Sequence, residues 1–139
     1  MPGKPVPDAY VEATVPFLSA QVTAMVRLQQ ITGMRSGEVT IMRGRDIDTA
    51  GKVWVYTPAT HQTEHHGHAI YLGPKAQELV RPFLKADLTA YLFDPRDAVK
   101  AHNEKRRRER KTPMTPSQAG RRPKLRPRRT PKDHYTSES

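Results

Sequence analysis

The fold is organised around residues 28–43, which read LQQITGMRSGEVTIMR. A helix is predicted to end at Thr32, because Gly33 accommodates the left-handed conformation that commonly follows a helix end. Arg35 then opens a second helix and carries a planar, permanently charged guanidinium that is well shaped for a phosphate. Glu38 lies three residues later, so it shares a face with Arg35 and can brace the guanidinium. This spacing predicts an arginine presented to a phosphodiester.

The segment TGMRSGEV, residues 32–39, resembles the first arginine box of the tyrosine recombinases, also called phage integrases. The resemblance runs from roughly Pro16 to Leu84, about half of the chain, through an acidic turn, a β-hairpin and a helix. It implies that Arg35 binds the scissile phosphate and stabilises the charge that develops on it, with Glu38 as a supporting residue. The alternative is an ordinary surface arginine after a helix end, with Glu38 solvating its helix.

The patterns predict an α+β fold that is mainly helical, with a small antiparallel β-hairpin or three-stranded sheet. Residues 1–7 are expected to form an extended lead, and residues 8–95 a partial recombinase-like catalytic domain. Amphipathic spacing predicts a helix over Pro16–Ile31 with Thr14 as its candidate cap. Ser36 is the candidate cap of the short helix that follows.

Three extended segments are predicted next. Val53–Tyr56 and His68–Leu72 form a hairpin with a long connection, and the resemblance implies a third strand at Asp46–Asp48. A helix is then predicted over Pro74–Leu84, and Pro82 is expected to disturb its end because proline lacks the backbone N–H.

The connection between the two hairpin strands carries a second group of candidate residues. Members of the recombinase family commonly have Lys-Thr in this hairpin, and the lysine protonates the leaving 5′ oxygen as a general acid. Thr63 matches the threonine, whereas Gln62 stands at the position of the lysine. A glutamine can hydrogen-bond a base edge but cannot deliver a proton as an acid. The resemblance thus implies DNA contact here and a departure from the family at the general acid.

The same region raises the alternative of a metal site, because imidazole is a common zinc ligand. Its four histidines are His61, His65, His66 and His68. Their spacing is not H-E-x-x-H, and the chain has no cysteine. We therefore predict no metal and no other cofactor, and interpret the histidines as polar loop residues, some of which contact phosphate when protonated.

The net charge of +10 lies entirely in the last third of the chain. Residues 1–95 hold nine Lys/Arg and nine Asp/Glu, whereas residues 96–139 hold fifteen and five. Such a segment predicts nucleic acid as the partner, and the resemblance to the recombinases implies that this is DNA. The alternative is a solvated tail without a partner. The candidate phosphate-contacting residues are Arg106, Arg107, Arg108, Arg110 and Lys111.

Residues 96–139 are expected to form a basic, Pro/Arg-rich extension to the domain. Its first part, residues 96–111, predicts a solvent-facing helix capped by Asp94. From Thr112 onward the composition is typical of disorder, and Tyr135 is interpreted as a residue of that tail.

Composition narrows the class of protein further. The absence of cysteine excludes disulfides and thiolate metal sites. No apolar run approaches the length of a membrane span, and the N-terminal MPGKPVPDAY lacks the apolar core of a signal peptide. These features predict a cytoplasmic protein that does not contact membranes.

The remaining boxes of the family are a His-x-x-Arg motif and a late nucleophilic tyrosine, and neither has a match in this sequence. The chain is therefore expected to be the first half of a recombinase catalytic domain, with an apolar patch on the face that the missing half would cover. A gene remnant, a product of a split gene and a binding-only derivative all fit this expectation.

The leading hypothesis is an integrase-like protein of site-specific DNA recombination that binds DNA and is catalytically inactive alone. Its expected partners are DNA and the missing C-terminal half or other recombinase protomers. The alternative is a non-enzymatic basic nucleic-acid-binding protein whose arginine box is coincidental. A metal protein built on the histidine loop is the third hypothesis.

Overall fold

The computed structural model of the 139-residue chain describes residues 4–59, 68–122, 125 and 130–137. Within these ranges the fold is α+β, with helices and one small antiparallel sheet, which confirms the predicted class. The α-helices are α1 Asp8–Thr14, α2 Ala20–Thr32, α3 Ser36–Thr40, α4 Pro74–Val80, α5 Pro95–Arg108 and α6 Pro116–Ala119. The strands are β1 Ile47–Asp48, β2 Trp54–Tyr56 and β3 Ile70–Leu72, and short 3-10 helices span Val15–Phe17, Gly44–Asp46 and Arg81–Phe83.

The sheet has three strands in the order β1-β2-β3, which is the larger of the two predicted arrangements. Its register pairs Ile47 with Tyr56 and Trp54 with Leu72. Alternation along β2 and β3 buries these side chains on one face, while Tyr71 between them is exposed on the other. The sheet therefore covers the core with one face only.

Helix α2 is shorter at its beginning than the predicted Pro16–Ile31. The side chain of Ser19 accepts a hydrogen bond from the N–H of Val22 at 3.3 Å, so the helix begins at Ala20. Pro16 belongs instead to the separate 3-10 turn.

Two predicted caps are wrong. Thr14 stands at the N-cap position of the 3-10 turn over Val15–Phe17, but its hydroxyl donates to the carbonyl of Tyr10 at 2.7 Å and makes no cap hydrogen bond. Ser36 lies inside α3, and Arg35 occupies the N-cap position. The short hydroxyl side chain of a Ser or Thr can reach several nearby backbone groups. The group to which it bonds depends on the path of the chain.

Proline also shortens the predicted helix over Pro74–Leu84. Helix α4 ends at Val80, and the chain continues as a 3-10 turn over Arg81–Phe83. Pro82 has no N–H to donate to an earlier carbonyl, so the regular ladder cannot extend through it.

The core lies between α2, α4 and the inner face of the sheet. Its fully buried side chains include Leu28, Met42, Leu72, Val80 and Phe93. The ring of Phe93 packs 5.2 Å from that of Phe83 in a tilted arrangement. The segment just before α5 is therefore part of the domain core.

Asp94 caps α5 as the sequence predicted. Its Oδ1 accepts the backbone N–H of Arg96 at 2.8 Å, and its carboxylate also accepts from the Arg96 guanidinium. Burial raises the pKa of Asp94, but the hydrogen bonds from Arg96 and the charges of Arg96 and Lys85 outweigh it and leave the pKa below its usual value. The start of α5 is thereby tied to the core.

The prediction that Tyr135 is a residue of a disordered tail is wrong. Tyr135 is partly buried against the core, and this burial raises the pKa of its phenol, an effect that the nearby side chain of Ser19 opposes. The neighbouring His134 stacks on Tyr91 with ring centroids 4.5 Å apart. Aromatic groups spaced along a polar segment supply enough apolar area to dock it. Within the described ranges, none of the helices is long and apolar enough to cross a membrane.

Replacing Tyr135 with Ala should release this segment. We expect the free energy of unfolding to fall by about 1 kcal/mol, because partly buried aromatic area is lost, and trypsin to cleave near Lys132 faster. Chemical denaturation and limited proteolysis measure the two effects. Tyr10→Ala, at an exposed position on α1, is the control. Equal proteolysis of the two variants would contradict the docking.

Candidate nucleic-acid interface

Arg35 lies in the turn between α2 and α3. Gly33 adopts a φ of 69° and its N–H donates to the carbonyl of Gln29 at 2.8 Å, which closes α2. Met34 is buried, and its N–H donates to the hydroxyl of Thr32 at 3.3 Å. The backbone that precedes Arg35 is thus anchored, while the side chain of Arg35 is 73% exposed. The turn holds the guanidinium at the surface.

Glu38 braces this turn from inside. Its side chain is 6% exposed, and its Oε2 accepts the backbone N–H of Arg35 at 2.7 Å. A guanidinium has no acceptor atom, so Glu38, and not the N-cap side chain, supplies the cap of α3. The Arg35 Nη1 lies 4.0 Å from Oε1 of the same carboxylate. The sequence expectation that Glu38 lies beside the guanidinium agrees with this geometry.

His68 approaches the same carboxylate from the sheet. Its Nε2 lies 3.6 Å from Glu38 Oε1, and its side chain is 56% exposed. A guanidinium and an imidazole therefore flank one buried carboxylate at the surface. When His68 is protonated, the group carries two cations over one anion, and its net charge favours a phosphate.

Tyr56 fixes the other side of Glu38. Its buried hydroxyl donates to the backbone carbonyl of Glu38 at 2.7 Å and so ties β2 to α3. Burial raises the pKa of Tyr56 far above its ordinary value of 10.0, and the carboxylates of Asp46 and Glu38 add to this while Arg43 opposes it. The phenol therefore stays a neutral donor under the junction.

The hairpin candidates lie outside the described residues. These are Gln62 and Thr63, together with His61, His65 and His66. His68 is the one histidine of that group that the described ranges include, and it joins the Arg35 turn. Among the described residues no group of three His, Cys, Asp or Glu side chains is arranged to hold a metal ion.

The basic candidates of the C-terminal third form a separate cluster. Arg106, Arg107 and Arg108 lie exposed in the last turn of α5. Arg110 donates to the carbonyl of Thr112 at 2.8 Å and to Oε1 of Gln118 at 2.9 Å, which links the end of α5 to α6. Lys111 is exposed beside it. The hydrogen bonds of Arg110 tie this cluster to α6.

Sequence reasoning missed two long-range contacts. Tyr56 belongs to a β-prone segment, and its alternation with Trp54 indicates that the side chain is buried. The alternation does not reveal that its hydroxyl bonds to the carbonyl of Glu38. Arg43 contacts Tyr91, with its guanidinium carbon 4.2 Å from the ring centroid and a hydrogen bond to the phenol oxygen. That contact joins residues far apart in the chain, so no local spacing could reveal it.

Comparison of the chain with protein-family models, curated proteins and solved structures found no match.

Tyr56→Phe should destabilise the protein by about 1–2 kcal/mol, because the buried carbonyl of Glu38 loses its donor. Because the folded state favours the neutral phenol of Tyr56, the contribution of this phenol to stability is complete below pH 10. It declines above pH 10, where the tyrosine of the unfolded chain ionises. In Tyr56→Phe, the part of the stability loss above pH 10 that comes from the Tyr56 phenol should be absent. Urea titrations at neutral pH and above pH 10 measure both effects. Tyr71→Phe, on the exposed face of β3, is the control and should match wild type.

Proposed function

We propose that this chain binds the phosphodiester backbone of DNA, as an integrase-like protein of site-specific recombination and integration, with Arg35 as its main phosphate ligand. The observation that carries the proposal is an exposed guanidinium on an anchored turn, supported by a carboxylate that is itself buried. Arginine donates two parallel N–H groups, which match two phosphate oxygens.

The buried carboxylate makes the arginine selective for an anion of fixed position. Glu38 is held by the backbone N–H of Arg35, and the adjacent carbonyl is held by Tyr56. The carboxylate beside Arg35 is therefore held in one position, which gives the guanidinium a fixed negative neighbour. In this proposal Glu38 supports the site and does not react.

Gln62 and Thr63, which lie outside the described residues, are proposed as further DNA contacts through their amide and hydroxyl groups. Gln62 has no acidic proton to deliver, and the sequence has no match to the nucleophile box of the family. We therefore propose binding without strand cleavage by this chain. Recombinase protomers or a polypeptide with the remaining boxes would be its protein partners.

The test is a titration of a fluorescent DNA duplex, followed by anisotropy over a series of salt concentrations. Arg35→Ala should weaken binding roughly tenfold, because one charge-assisted contact is lost, and should reduce the salt slope by about 1. Arg35→Lys should fall between, since lysine keeps the charge but not the paired donors. The backbone N–H that Glu38 caps is retained in both variants.

Lys75→Ala is the control, because it makes the same change of net charge on the exposed surface of α4. An equal loss of affinity in both alanine variants would mean that only overall charge matters. A covalent adduct between the wild-type chain and DNA would contradict binding without cleavage.

A second candidate function is non-specific nucleic-acid binding by the arginine cluster at the end of α5. The observation that favours it is the exposure of Arg106, Arg107 and Arg108 on one helical turn, beside a polar recess that Arg106, Arg107 and Arg110 line. Such contacts supply affinity without reading sequence.

The double substitution Arg106→Gln and Arg107→Gln separates the two candidates. If the cluster dominates, the double variant should lower the salt slope by about 2, while Arg35→Ala leaves affinity unchanged. The same anisotropy titration measures both, and Lys75→Gln controls for charge. Retention of full affinity by the double variant would exclude the cluster as the main contact.

A further inference from the structure

His68 brings an imidazole, a group that can titrate near neutral pH, to the Arg35 turn. Its Nε2 lies 3.6 Å from Glu38 Oε1, and the Arg35 Nη1 lies 4.0 Å from the same oxygen. A separation of 3.6 Å is too long for a hydrogen bond, so the carboxylate attracts the imidazole by charge without accepting its N–H. Two basic side chains from separate segments of the chain therefore converge on one buried carboxylate.

The spacing of these two basic groups suits a phosphate. Because both distances end on Glu38 Oε1, the Arg35 Nη1 and the His68 Nε2 are no farther apart than the two distances together. Charge-assisted N–H···O bonds are about 2.8 Å long, so one phosphate that accepts a bond on each of two oxygens spans this separation. Both basic side chains are exposed while Glu38 is buried, so an approaching ligand meets the basic groups before the carboxylate.

Protonation of His68 decides the charge of this group. With a neutral imidazole, the positive charge of Arg35 and the negative charge of Glu38 cancel. With a protonated imidazole, the three side chains carry one net positive charge. Histidine is the side chain whose charge ordinarily changes between about pH 5 and 8. One proton therefore converts the group from neutral to attractive for a phosphate.

The groups behind the carboxylate keep their charge over the same pH range. Tyr56 lies on β2, and burial raises its pKa far above the ordinary value, so its phenol stays neutral. Asp46 and Arg43 act on this phenol with opposite signs. Carboxylates and guanidinium groups ordinarily titrate well below and well above neutral pH. Among these described neighbours, His68 is therefore the group whose charge changes between about pH 6 and 8.

We propose that His68 is a second, proton-dependent phosphate ligand beside Arg35, so that DNA binding takes up one proton from solvent at the His68 imidazole. This inference rests on the proposed DNA function and adds its regulation by pH. One phosphate oxygen accepts from the Arg35 guanidinium and another from the protonated His68 Nε2, with Glu38 beneath as the shared counter-charge. Because the bound phosphate favours the charged imidazole, affinity rises as the pH falls from about 8 to about 6.

Anisotropy titrations of a fluorescent DNA duplex with the full chain test the inference at these two pH values and one salt concentration. The other five histidines also titrate in this range, so each variant is judged by the ratio of its affinity at low pH to that at high pH. The ratio of wild type should exceed that of His68→Gln roughly tenfold, the effect of one charge-assisted contact. Near pH 8 the two proteins should bind equally, because glutamine keeps a neutral N–H donor.

A permanent cation should have the converse effect. His68→Arg should bind near pH 8 roughly tenfold more tightly than wild type, because its guanidinium is charged at both pH values. Its ratio should equal that of His68→Gln. A role of His68 in folding alone would not raise affinity in this variant. His102→Gln, at an exposed position of α5, makes the same chemical change elsewhere and should keep the ratio of wild type.

Three results would overturn the inference and leave the DNA proposal intact, provided that Arg35→Ala still weakens binding. They are a wild-type ratio in His68→Gln, no gain of affinity near pH 8 in His68→Arg, and an equal fall of the ratio in His102→Gln. If Arg35→Ala and His68→Gln both bind as wild type does at each pH, the proposed phosphate site fails together with the inference.

Discussion

The buried carboxylate of Glu38 is the interaction on which the central junction of the molecule depends. It closes the first turn of α3 through the N–H of Arg35, and it faces the side chains of Arg35 and His68. A carboxylate at this depth is tolerated only when hydrogen bonds and opposite charges replace the water that it loses. The hydrogen bond from the N–H of Arg35 and the nearby guanidinium supply part of that replacement. The carboxylate of Glu38 therefore both caps α3 and sets the charge beside the exposed guanidinium.

Tyr56 connects this junction to the sheet. Its hydroxyl reaches the carbonyl of Glu38 from the buried face of β2, where alternation has already turned the ring inward. Helix α3 has only five residues and could not hold a fixed position by its own hydrogen bonds. Packing against α2 and the hydrogen bond from β2, and not helix propensity, keep the Arg35 turn where it is. A short helix can thereby present a precise surface group.

Helix α5 carries different kinds of side chain at its two ends and on its two sides. Its first turn is tied to the core by Asp94, and its alanine-containing side forms a wall of an open apolar groove. Its last turn carries the exposed arginines, where cations also interact favourably with the helix dipole. One basic helix therefore lines a groove with side chains of one face and exposes a cluster of arginines in its last turn.

The sequence by itself determined the class of the fold and the order of its elements. Gly33, Pro82 and Asp94 act through their own backbone or their nearest neighbours, so their effects on helix ends are visible in local sequence. The exposed arginine with an acidic residue three positions later was also visible, because i and i+3 share a helical face. Caps were less predictable at Thr14 and Ser36, since several backbone groups lie within reach of a small hydroxyl.

Only the tertiary structure decided which distant residues meet. The bond from Tyr56 to Glu38, the approach of His68, and the docking of Tyr135 beside Ser19 all join separate segments. The composition around Tyr135 predicted disorder. The stabilisation gained by an aromatic ring depends on the surface against which it packs, and local composition carries no information about that surface. The groove beside α5 is likewise a property of three segments together. Local chemistry specifies elements, whereas a site arises where packing brings them into contact.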